Sequence, residues 1–177
     1  MIKDYPYAHY PKDEDPNKYI GMNYYHLAEK FNPDSYEPDK WMKAAADAGF
    51  RYAVLTAKHH DGFAMYKSDV DSFNIVDATP FPRDPMKELA ESCRKAKIKL
   101  CFYYSQDQDW HEAGATGNTW DFKKGKPSDF QKYLDKKVKP QLRELLSNYG
   151  DIGLIWFDTP MSITAGQSKE LKDFVHS

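Results

Sequence analysis

Residues 52–62 read YAVLTAKHHDG, an apolar run followed directly by a polar and ionisable one. The apolar part, residues 52–56, is short and rich in β-branched and aromatic residues, so it predicts a buried β-strand. The polar part, residues 58–62, contains two adjacent histidines and ends in an Asp-Gly pair that favours a turn. The segment therefore predicts a strand that ends in chemically active side chains.

The same arrangement occurs twice more along the chain. Residues 98–104 predict a second buried strand, which is followed by Ser105, Gln106 and Asp107. Residues 152–157 predict a third, and Asp158 follows it directly. Each of the three predicted strands thus ends in polar residues.

Amphipathic helices are predicted between these strands. The first helix starts at Pro38 and is stopped by Gly49, and the second starts at Asp84 and Pro85. The third starts at the capping-box pair Ser128 and Gln131 and is stopped by Gly150. Pro140 predicts a kink in the third helix, because proline lacks the N–H that an α-helix uses. A last helical stretch is expected from about Ser168.

Alternation of short apolar strands with amphipathic helices is typical of a parallel sheet covered by helices, an α/β fold. In such folds ligands bind at the carboxyl ends of the strands. Three strands leave both sheet edges unpaired, whereas a closed (β/α)8 barrel needs eight strands and about 250 residues. We therefore expect residues 1–177 to form a single, incomplete domain.

Composition excludes several classes of function. The 25 basic and 27 acidic residues give a net charge of -2 and form no basic stripe, so nucleic acid is not an expected partner. No apolar run is long enough to cross a bilayer, and residues 1–20 contain no apolar signal core. Cys93 and Cys101 have no CxxC or metal-ligand spacing and are expected in the core.

Six residues at or just beyond the predicted strand ends can carry chemistry. Asp158 could act as a nucleophile or base, as a metal ligand, or as a cap of the following loop. His59 and His60 can contact one ligand only if the strand ends or bends there, because neighbouring strand residues point to opposite faces. Likewise, only one of Tyr103 and Tyr104 can face a ligand. Trp110, in the loop beyond, is either a sugar platform or a loop anchor.

These strand ends resemble a known family, glycoside hydrolase family 29, the α-L-fucosidases. The matching segments are residues 58–63 (KHHDGF), 102–105 (FYYS) and 156–158 (WFD), in the family's order. Residues 31–49 and the Arg83-Asp84 pair also resemble helix segments of that family. The resemblance covers roughly residues 24–165.

The resemblance implies a fold, a reaction and a set of site residues. The fold would be a partial (β/α)8 TIM-like barrel with about three to four parallel strands. The reaction would be hydrolysis of α-L-fucosidic linkages in fucosylated glycans with retention, with Asp158 as nucleophile and with His59, His60, Tyr103 and Trp156 binding the sugar. No metal or organic cofactor is implied, and full-length family members suggest a periplasmic, secreted or lysosomal location.

The resemblance also implies that part of the site lies outside this sequence. The family's first strand would precede Met1, and its acid/base carboxylate would follow Ser177. Asp61, Asp107 and Asp109 are interpreted as loop residues, without motif support as the acid. The alternatives are a fucose-binding module without turnover and a metal-dependent hydrolase that uses the two histidines and the strand-end aspartate. Association with the missing barrel portion, or self-association, is a further expectation.

Overall fold

The computed structural model describes residues 25–118, 122 and 127–177. Its strands are β1 (Tyr52–Lys58), β2 (Lys99–Tyr104) and β3 (Ile155–Phe157). Its helices are α1 (Pro38–Asp47), α2 (Pro85–Ala96), α3 (Pro127–Tyr133), α4 (Lys139–Asn148) and α5 (Ala165–Val175), with a 3-10 turn at Ala28–Lys30 and a π-helical segment at Leu134–Val138.

The three strands form one parallel sheet in the order β1-β2-β3, as predicted. Thr56 pairs with Tyr103, and Tyr103 pairs with Trp156, so these residues form one row across the sheet. Because the strands are parallel, their carboxyl ends meet at one edge. The three polar strand ends are thereby brought together.

A β-bulge interrupts β1 between Thr56 and Lys58, where Ala57 is the extra residue. Strict alternation would place Lys58 on the same face as Thr56. The bulge instead pairs Lys58 with Tyr104 and buries both side chains completely. It thus changes the direction of the two histidines that follow.

Two helix boundaries test the sequence predictions, and a third lies outside the described side chains. Asp84 caps α2, since its carboxylate accepts the N–H groups of Met86 and Lys87. The last helix begins at Ala165, earlier than predicted, because Thr164 and Gln167 form a capping box. The side chain of Ser128 lies outside the described residues, so the capping box predicted there stays a prediction.

A π-helical segment, Leu134–Val138, lies immediately before α4 and the proline at which a kink was predicted. There the N–H of Lys139 bonds to the carbonyl of Leu134, five residues earlier. Proline cannot donate an N–H and its ring crowds the carbonyl four residues back. The wider turn accommodates this defect within a continuous helical path.

The sheet has one covered and one exposed face. Alternate residues of β2, namely Leu100, Phe102 and Tyr104, pack with the helices. Further core residues on the helix side are Leu89, Cys93, Leu134, Val138, Leu142, Leu145 and Leu171. The opposite face, which we call the inner face, includes Tyr52, Leu154 and Trp156, with exposed fractions of 63%, 49% and 52%.

The prediction of buried strands is therefore wrong for the inner faces of both β1 and β3. Residues 152–157 were expected to be buried throughout, but the strand spans only Ile155–Phe157 and its central Trp156 is half exposed. An apolar run is buried on both sides only where a second layer covers each face. Cys93 and Cys101 are buried free thiols, as expected. None of the helices within the described residues is long and apolar enough to cross a membrane.

Candidate active site

The carboxylate of Asp158 lies at the end of β3, beside the end of β2. The hydroxyl of Tyr103 donates a 2.8 Å hydrogen bond to its Oδ2. This bond, the largest influence, lowers the pKa of Asp158 below its ordinary value. Burial raises the pKa of Tyr103, and the bond to Asp158 raises it further. Asp158 is thus held ionised, and Tyr103 stays a donor.

The structure decides between the two tyrosines that end β2. Tyr103 lies on the inner face, next to Asp158, whereas Tyr104 points into the helix layer. The Tyr104 hydroxyl donates to Oε1 of Gln141 at 2.7 Å. Tyr103 is therefore the one that faces the site.

His59 and His60 lie side by side after the β1 bulge, with ring centroids 4.1 Å apart. The exposed ring of His59 also stacks on Tyr103, at a centroid distance of 5.4 Å and an interplanar angle of 15°. The bend that the sequence required for both histidines to reach one site is thus present. Trp156 meets Tyr103 edge-on, with ring centroids 5.6 Å apart. The five predicted site residues form one cluster.

The hydrogen bonds of His60 define its tautomer. The Ser105 hydroxyl donates to the carbonyl of Gln108 at 2.8 Å, so its oxygen accepts from Nδ1–H of His60, also at 2.8 Å. Nε2 then carries the lone pair and lies 3.5 Å from Nε2 of Gln108. Burial lowers the pKa of His60, and neighbouring His59 lowers it further. His60 is therefore a neutral imidazole at neutral pH.

A buried ion-pair cluster beneath the histidines was missed by the sequence interpretation. Nζ of Lys58 lies 3.0 Å from Oδ2 of Asp109, and Nζ of Lys137 lies 3.1 Å from the same oxygen. Lys58 also donates to the hydroxyl of Tyr133 at 3.0 Å. The only signal in the sequence was a lysine that directly follows the apolar strand pattern, where the strand ends.

The two lysines of this cluster respond oppositely to their surroundings. Burial lowers the pKa of Lys58, and the attraction of Asp109 only partly opposes it. Burial would also lower the pKa of Lys137, but its ion pairs with Asp109 and Asp71 outweigh burial and raise it. The cluster ties the end of β1 to the loop after β2 and to the π-helical segment.

The other carboxylates near the strand ends are engaged in structural contacts. Asp109 is fully buried with both lysines, and fully buried Asp107 accepts backbone N–H groups from residues 161–163. Asp61 accepts the N–H of Phe63 and closes a turn. All three therefore have contacts of the kind expected of loop residues.

Trp110 has the contacts of a loop anchor. Its backbone N–H donates to the carbonyl of His60 at 2.8 Å, and its backbone carbonyl accepts from the Tyr25 hydroxyl at 2.7 Å. Its indole lies against Gly117, where an added Cβ would be 2.7 Å from Nε1. These contacts tie the loop after β2 to the loop after β1, and they support the anchor interpretation over the sugar platform.

The five site residues form an open surface on the inner face of the sheet, not an enclosed pocket. A surface depression of about 570 Å³ lies elsewhere, lined by Glu112, Tyr133 and Lys137 among others, and contains none of the five site residues. Within residues 25–118, 122 and 127–177, no group of three or more His, Cys, Asp or Glu side chains is arranged to hold a metal ion.

Comparison with known proteins decides the family. The family model described as Alpha-L-fucosidase matches residues 4–176. This chain belongs to the α-L-fucosidase family. Tissue alpha-L-fucosidase of Mus musculus is 32% identical over 139 residues, which is 78% of this chain and 29% of the relative. Alpha-L-fucosidase 1 of Arabidopsis thaliana is 34% identical over 130 residues, 72% of this chain and 23% of the relative.

Solved structures of the family show the same fold. Alpha-L-fucosidase AlfC from Lactobacillus casei, in complex with its alpha-L-fucose product, is 40% identical and has a TM-score of 0.82. The match covers 96% of this chain and 60% of AlfC. The chain thus spans less than a third of those two curated family members and somewhat over half of AlfC. The predicted α/β fold, a partial barrel, is confirmed.

Proposed function

We propose that this chain supplies the nucleophile side of a retaining α-L-fucosidase active site. The observation that carries the proposal is the Asp158 carboxylate, which accepts a hydrogen bond from Tyr103 at the strand-end edge beside His59, His60 and Trp156. A carboxylate placed firmly among hydrogen-bonding and aromatic groups suits attack on a sugar's anomeric carbon.

The neighbouring side chains suit a fucose ring. The exposed indole of Trp156 offers an apolar surface, and the imidazoles of His59 and His60 offer hydrogen-bonding nitrogens for hydroxyls. Family structures support this substrate class, since AlfC has been solved with Fuca(1,6)GlcNAc and with 4-nitrophenyl-a-L-fucopyranoside. The substrate is therefore a fucosylated glycan or fucoside.

The reaction is a double displacement. An Asp158 oxygen forms a bond to the anomeric carbon while the glycosidic bond breaks, and the departing oxygen takes a proton from a second carboxylic acid. Water, deprotonated by that second group, then attacks the fucosyl ester and releases fucose and the Asp158 carboxylate. In retaining enzymes the two carboxyl groups lie about 5 to 5.5 Å apart.

The acid/base group comes from outside the strand ends described here. Asp107 and Asp109 are committed to buried contacts, so neither is free to exchange protons with a substrate. The apolar inner face, with Tyr52, Leu154 and Trp156 exposed, matches the interior of a barrel that further strands complete. In this proposal residues 1–177 are one incomplete barrel domain, and the working site includes additional parallel strands.

Hydrolysis of 4-nitrophenyl α-L-fucopyranoside by the purified protein tests the proposal. Asp158→Asn should lower kcat by about 10⁴-fold or more, because the neutral amide is a poor nucleophile. Asp151→Asn is the matched control, since this exposed aspartate pairs with Lys99 at the opposite end of the β3 segment. The first-formed sugar should be the α-anomer by NMR. Full activity of Asp158→Asn, or a first-formed β-anomer, would refute the assignment.

A second candidate is a fucose-binding module without turnover. The engagement of both Asp107 and Asp109 in structural contacts favours it over an enzyme complete in itself. Isothermal titration calorimetry with fucose distinguishes the binding module from the enzyme. Binding that survives Asp158→Ala, with no hydrolysis by either form, would establish the binding module.

A further inference from the structure

The loop between β3 and α5 is held by one carboxylate oxygen from another loop. Oδ2 of Asp107 accepts the backbone N–H groups of Met161, Ser162 and Ile163 at 2.8, 2.7 and 2.8 Å. Consecutive N–H groups that converge on one point form an anion-binding nest. In this protein a side chain more than fifty residues away in sequence fills the nest.

Asp107 is itself firmly fixed at the end of β2. Its other oxygen accepts the hydroxyl of Thr116 at 2.7 Å, and its backbone carbonyl accepts the Thr116 N–H at 3.1 Å. The side chain is fully buried. The loop after β3 is therefore tied to a buried and hydrogen-bonded part of the neighbouring loop.

The residue before Asp107 makes a second tie, to Asp158 itself. Oε1 of Gln106 accepts the backbone N–H of Asp158 at 3.0 Å, and Gln106 is 4% exposed. Directly after Asp158 the chain passes through Thr159 with φ of +45°. A threonine rarely adopts this left-handed conformation, so surrounding contacts must hold it. The ties through Gln106 and Asp107 lie on either side of it.

We infer that Gln106 and Asp107 are positioning residues that hold the backbone of Asp158 for attack on the sugar. Gln106 fixes the start of the turn and Asp107 fixes its end, while Tyr103 orients the carboxylate between them. All three come from residues 103–107, so one strand end positions the nucleophile of the next. The catalytic consequence rests on the proposed fucosidase function, but the two ties do not.

Hydrogen exchange tests the ties without reference to activity. In Asp107→Ala the amides of Met161, Ser162 and Ile163 should exchange faster than in the unsubstituted protein. Gln106→Leu should release the Asp158 amide, and Gln106→Glu, which keeps an acceptor, should restore its protection. Asp151→Asn is the control, because this exposed aspartate pairs with Lys99 at the other end of the β3 segment. Unchanged protection at residues 161–163 in Asp107→Ala would overturn the inference.

Kinetics test the positioning role. Displacement of a reacting group by about 1 Å can lower a rate by roughly 10²-fold. We therefore expect Asp107→Ala to lower kcat on the aryl fucoside to that extent with little change in KM, since the sugar-binding groups on β1 and β2 stay in place. Gln106→Leu is the milder second variant, should Asp107→Ala fold poorly, and should show the same kcat-selective loss.

An Asp158→Gly background separates positioning from general damage. Azide can replace the missing carboxylate there, and a diffusible nucleophile needs no positioning. Asp107→Ala should then leave the azide-dependent rate unchanged. An equal loss in both backgrounds would mean that Asp107 only maintains the pocket. Absence of hydrolysis by the unsubstituted protein would count against a working fucosidase site in this chain on its own, and hydrogen exchange alone would then decide whether the ties exist.

Discussion

Replacement of Gly62 by alanine should destabilise this protein far more than the same replacement at Gly49 or Gly150. All three glycines have left-handed backbone, with φ of +84°, +86° and +82°. A Cβ at Gly49 or Gly150 would meet no atom within 4 Å. At Gly62 it would lie 2.2 Å from Oδ1 of Asp109. The three variants thus share a backbone penalty and differ in steric contact.

The structure gives the size of the difference. Left-handed backbone costs an alanine roughly 1–2 kcal/mol at each position. At Gly62 the Asp109 carboxylate must also move, which separates it from Lys58 and Lys137, both buried. Breaking a buried ion pair costs about 3–5 kcal/mol. Gly62→Ala should therefore lose about 4–7 kcal/mol, against about 5–15 kcal/mol for the whole fold.

Urea unfolding followed by tryptophan fluorescence and circular dichroism measures these losses. The urea concentration at the unfolding midpoint should be much lower for Gly62→Ala than for the two controls, Gly49→Ala and Gly150→Ala, whose midpoints should be similar to each other. Failure of Gly62→Ala to fold at all, while both controls fold, agrees with the same reasoning. A Gly62→Ala loss within about 0.5 kcal/mol of Gly150→Ala would refute it, because the carboxylate would then have moved without breaking its ion pairs.

Two further predictions concern charge. In Tyr103→Phe the hydrogen bond that lowers the pKa of Asp158 is lost. The pKa of Asp158 should therefore rise. Because attack needs the ionised carboxylate, the acid limb of the kcat/KM profile should move to higher pH. Tyr104→Phe is the control and should leave the acid limb unchanged, whereas an unshifted limb in Tyr103→Phe would contradict the assignment. Asp109→Asn should destabilise the fold by about 3–5 kcal/mol, since it leaves Lys58 buried without its ion-pair partner. Chemical denaturation measures that loss, and one under about 1 kcal/mol would show that the cluster is not held by charge.

The alternation of strands and helices was predictable because each element carries its own signal. Apolar runs of strand length, helix caps such as Asp84 and stop signals such as Gly49 and Gly150 act over a few residues. The π-helical segment before Pro140 was not predictable in this way. A proline marks a defect in the helix, but the surrounding packing decides whether the chain kinks or widens its turn.

The site was predictable in its members but not in its geometry. Parallel strands bring their carboxyl ends to one edge, so His59, His60 and Asp158 were expected together. Strand pattern alone left Tyr103 and Tyr104 equivalent; the family resemblance named Tyr103, and the physical reason for it needed the register between β2 and β3. The direction of the two histidine side chains depends on the bulge at Ala57, and no local sequence pattern predicts that bulge.

The sequence by itself determined which residues end the strands, and therefore the chemistry available at that edge. Strand propensity, helix capping and parallel pairing are short-range or topological, so they can be read from residue order. Only the tertiary structure decided how Lys58, Asp107 and Gln106 are used. Their partners lie some fifty residues away in the chain, and a buried charge or amide is defined by which distant atoms fold against it.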